Sequence, residues 1–122
     1  MHPSPNEIPE EVNLTTLAGL AQTSTINQWP RTIMRELGST VHMNCTQTTD
    51  HEYMYWYLQR NGQGLELIAR YLRDQTPEYE NDIYKDRFIM TRTDSAKRTQ
   101  LEIKSVKNQD EGIYFCASSD AQ

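Results

Sequence analysis

Two cysteines constrain this chain more than any other feature. Cys45 and Cys116 are the only ones, 71 positions apart. Trp56 follows the first by eleven positions, and the second closes the run Asp110-Glu111-Gly112-Ile113-Tyr114-Phe115-Cys116. An even cysteine count fits one bridge formed in an oxidising compartment, and it equally fits two buried thiols. A tryptophan after one cysteine and a tyrosine just before the other place large aromatic groups near both. Both cysteines therefore stand close in sequence to residues able to fill a core.

The hydropathy pattern supplies the secondary structure. Val41, Met43 and Cys45 alternate with polar His42 and Asn44, a half-buried strand read at period two. Trp56 and Leu58 share one face of the next strand, and Tyr57 and Gln59 share the other. Asn61-Gly62-Gln63-Gly64 is a turn, and Leu65 to Ala69 returns as a strand. Phe88 with Met90, Leu101 with Ile103, and Tyr114 with Cys116 continue the series. Pro30 confines the first strand to an edge or a kink. The inward set is Val41, Met43, Cys45, Trp56, Leu58, Phe88, Leu101, Ile103, Tyr114 and Cys116, and Phe115, out of phase, is placed outward. Many short strands joined by turns read as an all-β sandwich, and 122 residues allow one domain with one core.

Four segments carry a family resemblance. Trp56-Tyr57-Leu58-Gln59 with Gly62-Gln63-Gly64-Leu65-Glu66-Leu67-Ile68 is similar to a hairpin of immunoglobulin variable-type domains. Asp86-Arg87-Phe88 and Asp110-x-Gly112-x-Tyr114-x-Cys116 are similar to two further segments of that type. Cys116-Ala117-Ser118-Ser119 resembles the entry into the third hypervariable loop of T-cell receptor beta chains. From about Gln22 onward the chain thus resembles a T-cell receptor beta variable domain, a variable-type β-sandwich. The resemblance implies a Cys45–Cys116 disulfide between two sheets with Trp56 packed on it. It also implies an ion pair between Arg87 and Asp110 at the lower end. The implied disulfide would contribute roughly 4 kcal/mol in the chain-entropy model.

The resemblance also assigns functional surfaces. Tyr57, Gln59, Leu65 and Phe115 would form an outer face that pairs with the alpha chain. Three loops would meet peptide held by a histocompatibility molecule. The first spans Thr48 to Tyr53, with Asp50, His51, Glu52 and Tyr53 as contacts. The second spans Leu72 to Pro77, with Arg73, Asp74 and Gln75. The third begins at Ala117, with Ser118, Ser119 and Asp120. The implied location is the extracellular side of the plasma membrane, as part of a receptor.

Other functions find no support in the residues. A net charge of −5 argues against duplex nucleic acid as a partner. No apolar run approaches the roughly 20 residues of a membrane span. The histidines, His2, His42 and His51, sit in no hydrolase or metal motif, and no glycine-rich phosphate loop is present. No cofactor, metal or catalytic residue is expected. Two glycosylation sequons occur, Asn13-Leu14-Thr15 and Asn44-Cys45-Thr46, and the second puts Asn44 on the outward phase of its strand.

The ends suggest a piece rather than a whole. Residues 1–21 read as an N-terminal extension or the remnant of a leader, since Met1 to Thr16 lacks an apolar core while Leu17 to Ala21 resembles a leader's tail. Residues 22–122 read as the variable-type domain, truncated in the third hypervariable loop. The family's joining segment, with its Phe-Gly-x-Gly turn and last strand, does not follow. Two alternatives stay open: an unrecombined variable-type adhesion or co-receptor domain, and a non-functional truncated segment.

Overall fold

The computed structural model describes residues 26–30, 36–93 and 97–120. The expected leader remnant lies outside them. The described elements are eight strands, β1 (Ile26–Trp29), β2 (Val41–Gln47), β3 (Tyr53–Gln59), β4 (Leu65–Leu72), β5 (Glu78–Tyr79), β6 (Phe88–Thr93), β7 (Arg98–Ile103) and β8 (Ile113–Ser119), with a helical turn α1 (Asp82–Lys85) and a 3₁₀ turn at Asn108–Asp110. They form two four-stranded antiparallel sheets, ordered β1-β2-β7-β6 and β5-β4-β3-β8. Sheet-on-sheet packing buries the alternating apolar residues of each inner face. Among the described residues β8 is an edge of its sheet, and β1, which ends just before Pro30, is an edge of the other.

A disulfide joins the two sheets through the core. Cys45 on β2 and Cys116 on β8 are bonded, with Cα atoms 6.4 Å apart. Trp56 stands directly across from Cys116, and Thr99 directly across from Cys45. The Trp56 indole donates to Thr99 Oγ1 at 3.2 Å, and that hydroxyl donates onward to the Thr91 carbonyl at 2.8 Å. The one polar group of a fully buried tryptophan is thereby satisfied. Val41, Met43, Leu58, Phe88, Leu101 and Ile103 are among the residues buried with the two cysteines.

Tyr114 departs from its expected place. It is partly exposed and packs against the core rather than within it. Its hydroxyl donates to the Asp110 carbonyl four residues upstream. That bond closes a corner at the start of β8, and burial, its largest influence, pushes the Tyr114 phenol up. Gly112 makes the corner sterically feasible: a Cβ there would lie 2.6 Å from the Gln59 carbonyl oxygen and 2.8 Å from Leu58 Cδ1.

Two further features escape the alternating pattern. A bulge between Trp56 and Tyr57 leaves one extra residue on β4, so Ile68 and Ala69 are both buried although they are neighbours. Gln28, on edge strand β1, reaches across to the other sheet. Its amide donates to the Tyr114 carbonyl at 2.9 Å and accepts from the Cys116 N–H at 3.1 Å. It thereby occupies backbone groups of β8 that its own sheet leaves unpaired.

Candidate recognition surfaces

The connections β2–β3, β4–β5 and the end of β8 meet at one end of the sandwich. Gln47, the last residue of β2 and 4% exposed, folds the first of them. Its side-chain oxygen accepts from the His51 N–H (2.9 Å) and from Thr49 Oγ1 (2.8 Å), while its nitrogen donates to the His51 carbonyl (3.1 Å). A buried amide that satisfies both backbone groups of His51 acts as a substitute strand for the loop. The His51 ring then bonds the Ser118 hydroxyl, Nδ1 to Oγ at 2.7 Å, tying the first loop to β8. Arg73 ties it to the second. Its backbone N–H donates to the Glu52 carbonyl at 2.8 Å, and its guanidinium donates to both the carboxylate and the carbonyl of Asp50 at 3.1 Å. Arg92, from β6, donates to the Gln75 carbonyl and anchors the far side of the second turn.

This geometry trims the expected loops. The first is residues 48–52, since Tyr53 opens β3, and the second is residues 73–77, since Leu72 closes β4. The third does not begin at Ala117. β8 continues through Ser119 because pairing with β3 holds to the last pair, Tyr53 opposite Ser119. Ser118 is buried, its hydroxyl occupied by His51, and Ser119 bonds the Tyr55 hydroxyl at 2.7 Å. Asp120 is the first exposed residue beyond the strand, and Asp50, Asp74 and Gln75 are exposed beside it on the same rim.

The outer face of sheet β5-β4-β3-β8 is aromatic. Tyr53, Tyr55 and Tyr57 stack in a row up β3, with ring centroids 5.9 and 6.0 Å apart. Arg70 of β4 lies over the Tyr53 ring at 5.5 Å. Gln59 continues the row, and Leu65, 43% exposed, stands opposite it. Burial, the largest influence, raises the Tyr57 phenol, helped by neighbouring Tyr55. Tyr53 and Tyr55 extend this face beyond the expected set, and their period-two spacing with Tyr57 is the sequence signal for it.

Phe115 is the main correction here. It pairs across from Tyr57, so its phase is outward as expected, but it is 1% exposed and belongs to the buried cluster. Register decides which face a ring is on, whereas exposure depends on what else of the chain covers that face. With Phe115 covered, Tyr57, Gln59 and Leu65 remain as the accessible part of the expected set.

At the opposite end Arg87 and Asp110 meet in a forked pair, with N–O distances of 2.7 and 2.9 Å. Asp110 is 4% exposed, and it also accepts from the Lys107 N–H at 2.8 Å. Burial alone would raise its carboxyl. The Arg87 hydrogen bonds, the Lys107 N–H and the Arg87 charge outweigh that and hold it below the usual carboxylate range. This pair closes the base of the sandwich and has no exposed reactive group.

Comparison with known proteins places the arrangement. An immunoglobulin V-set domain model matches residues 28–122. Human T cell receptor beta variable 2 is 34% identical over 103 residues, covering 84% of this chain and 87% of the relative. Human T cell receptor beta variable 12-5 is 38% identical, covering 76% and 79%. The chain belongs to the T-cell receptor beta variable family of immunoglobulin V-set domains. A mouse member, T-cell receptor beta chain V region C5, is 36% identical over 77% of this chain and 75% of its own length. The family is one of extracellular receptor parts and is not known for enzymes. Among the described residues no helix is long and apolar enough to cross a membrane, and no group of three or more His, Cys, Asp or Glu could hold a metal ion.

Proposed function

We propose that this beta variable domain recognises antigen, contacting peptide held by a histocompatibility molecule while paired with an alpha chain on the cell surface. The observation that carries this reading is the bracing of the loop end. Residues 48–52, 73–77 and the end of β8 are far apart in sequence, yet Arg73–Asp50 and His51–Ser118 join them into one rim. Loops held before contact lose less entropy on binding. The exposed rim offers Asp50, Asp74, Gln75 and Asp120, with Glu52 and Arg73 half-buried among them. Tyr57, Gln59 and Leu65 supply the pairing face, a partly apolar patch with one amide for a cross-interface hydrogen bond.

The test has two arms. The chain is refolded with an alpha variable domain and analysed by sedimentation. A heterodimer should form, and Leu65→Asp or Tyr57→Asp should weaken it at least tenfold while Asp74→Ala leaves it unchanged. Absence of a complex, or a complex indifferent to the face variants, refutes the pairing assignment. The heterodimer is then screened against peptide–histocompatibility multimers. Binding that is lost in Asp74→Ala or Gln75→Ala supports the rim, and binding untouched by every rim variant refutes it.

A further inference from the structure

Asn44 lies in the middle of β2, on the sheet that does not carry the proposed pairing face. Its strand neighbours are Trp29 on β1 and Gln100 on β7. Val41, Met43 and Cys45 point inward, so His42, Asn44 and Thr46 project from the outer surface. Among the described residues, Asn27, His42, Thr91 and Thr93 on that surface are exposed, and Asn44, Thr46 and Gln100 are partly so. The Asn44 side chain is engaged on one atom. Its Oδ1 accepts from Gln100 Nε2 at 3.2 Å, and among the described residues nothing holds Nδ2. Asn44-Cys45-Thr46 is an acceptor sequon with no proline at its centre.

We propose that Asn44 carries an N-linked glycan that covers the outer face of sheet β1-β2-β7-β6. In the transfer, Asn44 Nδ2 attacks C1 of the first sugar of a lipid-linked oligosaccharide. The N–C1 bond forms, the bond from C1 to the lipid pyrophosphate breaks, the lipid pyrophosphate departs, and one amide proton passes to the transferring enzyme. Nothing is oxidised or reduced. Transfer takes place on the extended chain, before Cys45 has paired with Cys116, so its position inside a strand does not block it. After folding, the nitrogen that bears the sugar is the one the structure leaves unengaged, and Oδ1 keeps its bond to Gln100. The sugar leaves the sheet beside Trp29, whose ring already lies under the Arg98 guanidinium at 5.3 Å. A large hydrophilic group there leaves the Tyr57, Gln59 and Leu65 face open, because that face belongs to the other sheet. The inference does not rest on the antigen-receptor reading. It requires only the oxidising secretory route that the disulfide also points to.

The full chain, placed behind a heterologous signal peptide, is translated in the presence of rough microsomes. The imported chain should shift in mobility, and peptide-N-glycosidase should remove the shift and leave aspartate at position 44, read by mass spectrometry. Asn44→Gln and Thr46→Ala should each abolish this modification, Thr46→Ser should keep it, and Asn13→Gln should not affect it. Because the sugar is added to the nascent chain, a variant that later misfolds still reports. An imported, protease-protected chain with no shift overturns the proposal, as does a shift that survives Asn44→Gln and is lost only in Asn13→Gln.

Discussion

Removing the Asp110 carboxylate should destabilise this domain severely. Asp110→Ala deletes two charge-assisted bonds from Arg87, at 2.7 and 2.9 Å, and the acceptor of the Lys107 N–H at 2.8 Å. The guanidinium left behind is 19% exposed. It keeps the carbonyls of Lys104 and Ser105 at 3.2 and 3.3 Å as acceptors. Breaking a buried pair from one side typically costs about 3–5 kcal/mol. The two remaining carbonyls put this site at the low end, about 3 kcal/mol. With a urea dependence of about 1.5 kcal/mol per molar, the unfolding midpoint should fall by about 2 M. Arg87→Lys keeps the charge but loses the planar fork, and should cost about 1 kcal/mol. The pH dependence gives an independent check. The folded carboxyl lies below its unfolded value of about 3.9. Its stabilisation is therefore full above that unfolded value and is lost as pH falls through the folded one. The gap between wild type and Asp110→Ala should thus be constant from neutral pH down to about 5 and should shrink below about 4. An Asp110→Ala midpoint equal to the wild-type value would refute the energetic argument. A gap undiminished in strong acid would show that the loss is one of packing rather than charge.

Three other outcomes are expected. Gly112→Ala should cost at least about 1–3 kcal/mol, because its methyl would sit 2.6 Å from the Gln59 carbonyl oxygen; a thermal midpoint equal to wild type would mean that β3 and β8 can separate there at no cost. Cys45→Ala should lower stability by about 2–5 kcal/mol through loss of the bridge to Cys116, measured by denaturant unfolding without reductant, and a smaller change would mean that the sheets are held almost wholly by packing. Gln47→Ala leaves both backbone groups of His51 without their partner and should cost about 1–3 kcal/mol; amide exchange at His51 should quicken well before that of Cys45, and unchanged exchange would show that the loop does not depend on the glutamine.

Residue pattern alone was enough to set the phase of the core strands and to mark the pair of cysteines among them. Val41, Met43 and Cys45, Trp56 and Leu58, and Leu101 and Ile103 all face inward as their period-two spacing requires, because alternation is a property of the extended backbone and needs no tertiary information. The pairing of Cys45 with Cys116 and the meeting of Arg87 with Asp110 were legible only through resemblance, since local pattern does not say which distant residues touch. What covers a face was beyond any periodicity. Phe115 has the outward phase of Tyr57 and is nevertheless buried. The bulge opposite Trp56 and Tyr57 shifts the phase of β4 and buries both Ile68 and Ala69, because pairing geometry between two strands, not the composition of either, sets where an extra residue goes. The loop end of the sandwich shows the same division. Loop positions could be read to within a residue or two at their starts, but β8 runs on through Ser118 and Ser119 because β3 continues to pair with it. Gln47, Gln28 and Ser118 are polar side chains of types mostly left exposed. The folded chain buries them because each satisfies polar groups that another segment brings into the interior.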